Sequence, residues 1–362
     1  MSEKTMTDFV DRPRDIRAGE ELDVERLTAY LREHTSEFAT KGAITVRQFP
    51  SGHSNLTYSL SCDGKEYVLR RPPFGSKVKS AHDMSREFRI LSKLHPVYPL
   101  APEPIVFCED AGVIGANFYV MRRLEGVIVR KELPPELGLA GDRLRTLHQN
   151  LVDNLARIHA LDYEKAGLGD LGKPEGYIER QVTGWSKRYL DSQTDDIATV
   201  TRVAAWLAEH RPREGRAALI HNDYKLDNVV LSEADPTKII GVLDWEMSTL
   251  GDPLMDLGTF LGYWVEASDD DAMQIMRWGP TTAPSALTRG EIVARYESAT
   301  GRTVENPVYY YVFGMFKTAV VIQQIYYRYK QGLTKDERFA IMIMGVHALA
   351  QKAANHIDSG KV

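Results

Sequence analysis

Residues 219–231 read LIHNDYKLDNVVL and place several polar side chains between two apolar, strand-like ends. Asp223 and Asn228 lie five residues apart, and Asp244 follows KIIGVL, a run that is typical of a strand. Carboxylate and amide oxygens are the ligands that hard divalent cations prefer. The spacing therefore predicts a site for phosphoryl transfer, in which metal-bound phosphates meet a carboxylate that accepts or orients the proton of an attacking hydroxyl.

This hypothesis gives each polar position of the segment a role. Asp223 is the candidate catalytic base, and Lys225 could stabilise charge on the transferred group. Asn228 and Asp244 are the candidate magnesium ligands. His221 is interpreted as a structural hydrogen-bonding residue beside the loop and not as the base.

The pattern HNDYKLDN followed by Asp244 resembles the catalytic loop and metal-binding aspartate of protein kinase-like enzymes. DWE at 244–246 stands where protein kinases have DFG, and GDPLMDLG follows shortly after. Together these motifs resemble the aminoglycoside phosphotransferase and choline kinase superfamily, most of all the phosphotransferase domains associated with acyl-CoA dehydrogenases. The resemblance implies a protein kinase-like fold of two lobes, with ATP and Mg²⁺ as cofactors. Asp256 is interpreted as a brace of the catalytic loop.

The resemblance also implies a nucleotide site in the N-terminal part of the chain. The flexible phosphate loop would be SGHSN, and the strand-three cation, usually lysine in the family, would be an arginine that pairs with a glutamate on the next helix. That arginine could still bind phosphate and a carboxylate bidentately. The hinge strand would meet adenine through two main-chain groups, beside a methionine that lines the base pocket. The residues concerned are Ser54, Arg70, Glu87, Met121, Arg122 and Leu124.

Hydrophobic periodicity predicts an α+β protein with the same division into lobes. Residues 1–20 are expected to form a tail, 21–125 the N-terminal nucleotide-binding lobe, and 126–362 a larger, mainly helical C-terminal lobe. The N-terminal lobe should hold a small five-stranded antiparallel sheet with one helix, 83–95, after the third strand. The predicted strands are ITVRQF, LTYSLSC, KEYVLRR, PIVFCED and NFYVMRRLEG, with a further helix at 23–34 before them.

Composition is that of an ordinary globular protein. The 362 residues carry a net charge of −5, which gives no electrostatic reason to expect nucleic acid or a membrane surface as partner. Two cysteines cannot form a disulfide framework, so a cytoplasmic setting is the default expectation. The apolar run from Tyr309 to Tyr327 is interrupted by Lys317 and two glutamines, and it is interpreted as a buried helix. Nothing indicates an oligomeric state.

The acceptor is expected to be a hydroxyl group of a small molecule. Residues 252–362 are almost balanced in charge, which does not favour the acidic pocket that polycationic aminoglycosides need. Basic residues cluster after the third strand, and they could attract an anionic acceptor such as a hydroxyacyl-CoA or a hydroxy acid. The cluster comprises Arg70, Arg71, Lys77, Lys79 and Arg86.

Three other interpretations remain open. An aminoglycoside-type or other amino-alcohol kinase fits the same motifs. A nucleotide-binding pseudokinase is supported by Arg70 in place of lysine, but the intact Asp223 and Asp244 argue against it. A protein kinase is disfavoured because helices follow Asp244 almost at once and leave no room for an activation loop. Residues 269–271, three aspartates, are interpreted as a solvated helix start.

Overall fold

The structure is a computed structural model that describes residues 12–40, 42–50, 55–74, 83–334 and 336–362. Ser54, predicted to contact phosphates, lies outside the described residues, as do Lys77 and Lys79.

The N-terminal part is built on a sheet of five strands in the order β1-β2-β3-β5-β4, with every neighbouring pair antiparallel. Asp63 and Gly64 connect β2 to β3 with positive φ angles of 49° and 75°, as a two-residue hairpin turn requires. The predicted five-stranded antiparallel sheet is confirmed. The strands are β1 (Thr45–Gln48), β2 (Leu56–Cys62), β3 (Lys65–Arg71), β4 (Pro104–Cys108) and β5 (Phe118–Arg122).

The two faces of this sheet are covered by different elements. Helix α1 (Val24–His34) buries Leu27 and Leu31 in one cluster with Tyr67 and Leu69 of β3. Helix α2 (Met84–Leu94) shares its cluster with Val68, on the opposite face. Because side chains alternate along a strand, Arg70 lies on the α2 face. The pattern of KEYVLRR thus directs Arg70 towards the rest of the molecule.

Residues 12–20 belong to the predicted tail, and part of this segment is held on the sheet. Arg14 and Gln48 exchange two backbone hydrogen bonds, of 2.7 and 2.9 Å. The hydroxyl of Tyr58 donates to the carbonyl of Glu20 at 2.7 Å. Beyond β5, Val127 pairs with Leu231 of the C-terminal part, just after the predicted boundary at residues 125–126. The three domain limits stay predictions.

The C-terminal part is mainly helical, as predicted. Two short antiparallel strand pairs interrupt the helices and flank the HNDYKLDN segment: β6 (Ala218–Ile220) with β9 (Thr249–Gly251), and β7 (Val229–Leu231) with β8 (Ile239–Val242). The helices are α3 (Ala111–Ile114) in the N-terminal part, followed by α4 (Asp142–His159), α5 (Tyr177–Asp191), α6 (Ala198–Glu209), α7 (Pro253–Gly262), α8 (Asp271–Met276), α9 (Arg289–Thr300), α10 (Pro307–Lys330) and α11 (Met342–Ser359).

Helix α10 is buried along most of its length, as the interrupted apolar run predicts. Across the described parts of the chain, we find no helix with the length and apolarity needed to span a membrane.

The prediction for residues 269–271 is wrong at its first position. Asp270 caps α8 and Asp271 is exposed in its first turn. Asp269, however, is buried between the Arg289 guanidinium, at 2.8 Å, and the Lys352 ammonium, also at 2.8 Å. These two cations, after the opposing effect of burial, lower the pKa of Asp269 to about 2. No local sequence pattern reveals this pairing, because its partners lie on α9 and α11.

Helices α7 and α10 cross with their backbones in close approach. An added Cβ at Gly258 would collide with the Tyr310 carbonyl, and one at Gly314 with the Gly258 carbonyl. Gly258→Ala is expected to force the helices apart and lower the free energy of unfolding by about 1–3 kcal/mol. Urea unfolding would measure the loss. Gly290→Ala on α9 is the matched control, since a Cβ there lies 3.9 Å from its nearest neighbour and should cost nothing.

Candidate active site

One buried carboxylate, that of Asp256, fixes the start of the HNDYKLDN segment. Asp256 on α7 accepts the backbone N–H groups of His221 and Asn222, each at 2.8 Å. Its Oδ2 also lies 3.1 Å from Nε2 of His159. Burial alone would raise the pKa of Asp256, but the hydrogen bond and charge of His159 and the interactions with His221 together outweigh burial, and the pKa is lowered. Asp256 is therefore an ionised anchor for the start of the loop, and it is not among the residues that line the cleft described below.

His221 connects the loop to the segment that carries Asp244. The Asp223 amide lies 3.3 Å from His221 Nδ1, and the Leu243 carbonyl lies 2.9 Å from Nε2. A peptide N–H only donates and a carbonyl only accepts, so the proton of the ring is on Nε2. Burial lowers the pKa of His221 and keeps the ring neutral. This geometry supports a structural role.

The Asp223 carboxylate is held on both oxygens. Tyr263 donates its hydroxyl to Oδ1 at 2.7 Å. Lys225 Nζ and Asn228 Nδ2 reach Oδ2 at 2.5 and 3.0 Å. Burial would raise the pKa of Asp223, but the Lys225 ammonium and the hydrogen bonds from Lys225 and Tyr263 outweigh it and lower the pKa. With its side chain 22% exposed, Asp223 is an ionised and oriented acceptor that a substrate can still reach.

Two residues of the site have backbone conformations that non-glycine residues rarely adopt. Asn222 has a φ of 65° and Asp244 a φ of 66°. Such conformations cost about 1–3 kcal/mol and persist only where the surroundings enforce them. They lie immediately before Asp223 and at the candidate metal ligand, so both carboxylates are oriented by strained backbone.

Arg70 joins the sheet to the segment around Asp244. Its Nη1 lies 2.6 Å from Glu87 Oε1 on α2, which confirms that the strand-three cation and the helix acid pair. Its Nη2 lies 3.3 Å from Asp244 and 3.2 Å from Glu246. Asn55 adds a hydrogen bond of 2.8 Å to Glu246. The guanidinium therefore sits among three carboxylates at the inner end of the cleft.

A cleft of about 230 Å³ lies between the sheet and the C-terminal part. Apolar side chains from both parts form its walls, and its inner end is polar. The wall residues include Phe49, Val68, Met121 and Leu243. The inner end is formed by Arg70, Asn228 and Asp244, and the end of β5 contributes Arg122 and Leu124. A cleft with apolar walls and charged groups at one end has the chemistry that a nucleotide needs.

Whether a divalent metal fits the inner end of the cleft depends on the charges there, and the carboxylates outnumber the cations. Five carboxylates meet four cations here: Glu87, Asp223, Asp227, Asp244 and Glu246 against Arg70, Lys225, Arg130 and Lys317. Burial and the nearby Asp244 raise the pKa of Glu246 to about 7. Burial, with a smaller contribution from Asp223, also raises the pKa of Asp227. Asp227 Oδ1 is buried without a hydrogen-bond partner among the described residues.

This uncompensated negative charge fits a bound cation. Over the described ranges there is no cluster of three or more His, Cys, Asp or Glu side chains that could enclose a metal. Asp244 and Asn228 would therefore hold magnesium together with substrate phosphates, the arrangement that this ion prefers over an all-protein cage.

The predicted site residues that the structure describes thus fall into one region. Asp223, Lys225 and Asn228 are in mutual contact, while Arg70 pairs with both Glu87 and Asp244. The sequence interpretation missed Tyr263 and gave no role to Glu246 or Lys317. Tyr263 lies at the end of α7, forty residues after its partner, and no local pattern marks it. The sequence did contain a sign of the role of Lys317, because a lysine inside an apolar helix is rarely buried without a partner.

The basic stretch after β3 is less available than its sequence suggests. Arg71 is buried and donates to the Ile114 carbonyl at 2.7 Å. Arg86 donates to the carbonyls of Glu246, at 2.7 Å, and Ser248, at 2.5 Å. With Arg70 in the site, three of the five basic residues are engaged inside the protein, and Arg86 supports the segment that follows Asp244.

Comparison with known proteins agrees with this geometry. The chain is 32% identical over 348 residues to rat (Rattus norvegicus) acyl-CoA dehydrogenase family member 11, covering 91% of this chain and 42% of that protein. The chain therefore spans less than half the length of that relative.

Solved structures give the same result. A protein of Ralstonia eutropha, described as a candidate aminoglycoside phosphotransferase, superposes with a TM-score of 0.80 at 29% identity, covering 94% of this chain and 99% of that one. Choline kinase from Cryptosporidium parvum has a TM-score of 0.62 at 14% identity, with 93% and 97% covered, and so shares the fold. The predicted kinase-like fold is confirmed. Since residues 45–287 also match the phosphotransferase enzyme family, the chain belongs to that family.

Proposed function

We propose that this protein transfers the γ-phosphoryl group of ATP to a hydroxyl group of a small molecule, with Mg²⁺. The observation that carries the proposal is the state of Asp223: an ionised carboxylate, fixed by Tyr263, Lys225 and Asn228, the last of which lines the cleft between the two parts. Phosphoryl transfer requires such positioning more than covalent chemistry by the protein.

In this reaction the acceptor oxygen forms a bond to the γ-phosphorus, and the bond from that phosphorus to the β-bridging oxygen breaks. Asp223 takes the proton of the hydroxyl, and ADP leaves. Lys225, 2.5 Å from Asp223, is placed to offset charge on the transferred group. Magnesium, held by Asn228 and Asp244, would neutralise charge on the phosphates.

The nucleotide would occupy the cleft with its base between the two lobes. Met121 would line the base pocket, and main-chain groups of Arg122 and Leu124 would meet adenine. The Arg122 amide already donates to the Glu103 carbonyl at 2.8 Å, so its carbonyl is the group left to face the base. Arg70, fixed by Glu87, would reach the phosphates. Ser54 stays a predicted phosphate contact.

For the acceptor we propose a hydroxyacyl-CoA or a related hydroxy acid. The support is the family relationship, since the rat relative is named as an acyl-CoA dehydrogenase and this chain matches less than half of it. Of the basic stretch, Lys77 and Lys79 remain as candidate contacts to an anionic acceptor. A cytoplasmic location stays a prediction.

An aminoglycoside or amino-alcohol acceptor is the second candidate, favoured by the description of the Ralstonia eutropha structure. A pseudokinase has less support, because a protein that only bound nucleotide would not need Asp223 held on both carboxylate oxygens.

The test is ATP consumption by the purified protein with magnesium, against hydroxyacyl-CoAs, free hydroxy acids, choline-like alcohols and aminoglycosides. We expect turnover with the hydroxyacyl-CoA or hydroxy acid class. Turnover only with cationic acceptors would reject the acceptor assignment and keep the kinase. Binding of Mg-ATP without turnover by any class would favour the pseudokinase.

A further inference from the structure

The ammonium group of Lys317 is buried against the catalytic loop. Lys317 lies on α10, and the residue is only 5% exposed. The close crossing of α7 and α10 at Gly258 and Gly314 brings this helix against the element that carries Asp256. Lys317 Nζ donates to the carbonyl of Asn222 at 2.5 Å. It therefore reaches the peptide group that joins Asn222 to Asp223.

Asn222 is held at every polar group. Its N–H donates to Asp256, and its side-chain Nδ2 donates to the Met247 carbonyl at 3.1 Å. Its Oδ1 accepts from the Tyr177 hydroxyl at 3.1 Å, and Lys317 takes the remaining group, the carbonyl. A left-handed non-glycine residue needs such restraint, because its conformation is unfavourable by itself.

We propose that Lys317 is a positioning residue of the phosphotransferase reaction, which fixes the Asn222–Asp223 peptide and so orients the Asp223 carboxylate towards the acceptor hydroxyl. This inference rests on the proposed function. A neutral donor could satisfy one carbonyl at a smaller desolvation cost. The cation adds an electrostatic interaction with Asp223 that a neutral group would not.

The charges around Lys317 agree with that role. Burial lowers the pKa of Lys317 to about 8, while Asp223 on the loop and Asp256 on α7 oppose the fall. Lys225 on the loop and Arg188 on α5 act in the same direction as burial. Burial would raise the pKa of Asp223, and Lys317 makes a smaller contribution, after Lys225 and Tyr263, to lowering it.

The test compares Lys317→Met with Gln323→Met, a matched control on the same helix. Gln323 is also buried and donates to the Ser192 carbonyl at 2.8 Å, away from the site. Both variants should lose thermal stability. Only Lys317→Met should lose kcat, by about 10²-fold, with the KM for ATP unchanged, because the base is misplaced and not the nucleotide. Lys317→Arg should restore part of kcat.

The division of the effect between kcat and KM separates positioning from simple destabilisation. Lys317→Met should lose kcat at an unchanged KM for ATP and Lys317→Arg should recover part of it, while Gln323→Met keeps both constants. An equal kcat loss in Lys317→Met and Gln323→Met, or no recovery of kcat in Lys317→Arg, would overturn the proposal.

A third measurement does not depend on turnover. Carbon NMR of lysine ε-carbons, with Lys317→Arg to assign the signal, should show Lys317 titrating at lower pH in Asp223→Asn than in the wild type. An unchanged titration overturns the role of Lys317 even if the enzyme is active. A shifted titration in a protein that phosphorylates nothing would support the coupling and reject the proposed function alone.

Discussion

Asp223→Asn protein is expected to transfer phosphate about 10²–10⁴-fold more slowly than the wild type, the usual contribution of a positioned general base. The amide keeps the size of the carboxylate and can still contact Tyr263, but it cannot accept the proton. Nucleotide affinity should be retained, since the cleft walls and Arg70 are unchanged. Steady-state kinetics with the active acceptor, with calorimetry of Mg-ATP binding, measure both quantities.

Asp235→Asn is the control for this substitution. Asp235 lies in the turn before β8, with Arg143 at 3.4 Å and Lys238 at 3.8 Å, and contacts nothing in the site. It should keep wild-type turnover. A kcat for Asp223→Asn within a few-fold of the wild type would remove the assigned base from the mechanism.

Arg70→Met is expected to lower the free energy of unfolding by about 3–5 kcal/mol near neutral pH, because a buried carboxylate loses its partner. The Glu87 side chain is 3% exposed and that of Arg70 is 12% exposed, so solvent screens the pair little. Mg-ATP binding should also weaken, since the cation at the inner end is gone. Urea unfolding and calorimetry measure the two effects.

The stability that Arg70→Met loses should depend on pH in a defined direction. Burial already raises the pKa of Glu87, and Arg70 opposes that rise. Without Arg70 the folded-state pKa rises further above the unfolded value of about 4.3. A raised carboxyl pKa favours the folded state at low pH and disfavours it as pH rises through that folded value. Arg70→Met should therefore be closest to wild-type stability in acid and least stable at high pH.

Arg71→Met and Arg70→Lys complete this experiment. Arg71, the next residue of β3, is buried and donates a hydrogen bond to the Ile114 carbonyl. Its loss should therefore lower stability without weakening the binding of Mg-ATP. Arg70→Lys restores a cation and should recover nucleotide binding. If Arg70→Met were as stable as the wild type at every pH, the Glu87 pair would not hold the two elements together.

The sequence predicted those features that local patterns encode. The strands LTYSLSC and KEYVLRR were predicted from their residue patterns, and the alternation of side chains in KEYVLRR accounts for the position of Arg70 on the face of β3 that meets α2. The spacing of Asp223, Asn228 and Asp244 brought three oxygen groups to one region because two short strand pairs flank the segment.

The remaining features depend on contacts between distant segments. Tyr263 contacts Asp223 because the end of α7 packs against the loop. Lys317 contacts Asn222 because glycines let α10 approach α7 closely. Asp269 was expected to be solvated, since its two cations come from helices that follow later in the chain. Arg86 was counted among surface charges although it bonds two carbonyls. Periodicity and spacing carry no information on such pairings.

Phosphorus NMR of the purified protein with Mg-ATP and a hydroxyacyl-CoA or hydroxy acid tests the central claim most directly, because it distinguishes a new phosphate ester from free phosphate. We predict a phosphomonoester signal on the acceptor, formed with ADP in equal amount, that is absent without magnesium and grows about 10²–10⁴-fold more slowly in Asp223→Asn. No ester with any hydroxyl acceptor, or an ester formed equally well by Asp223→Asn, would contradict the proposed function.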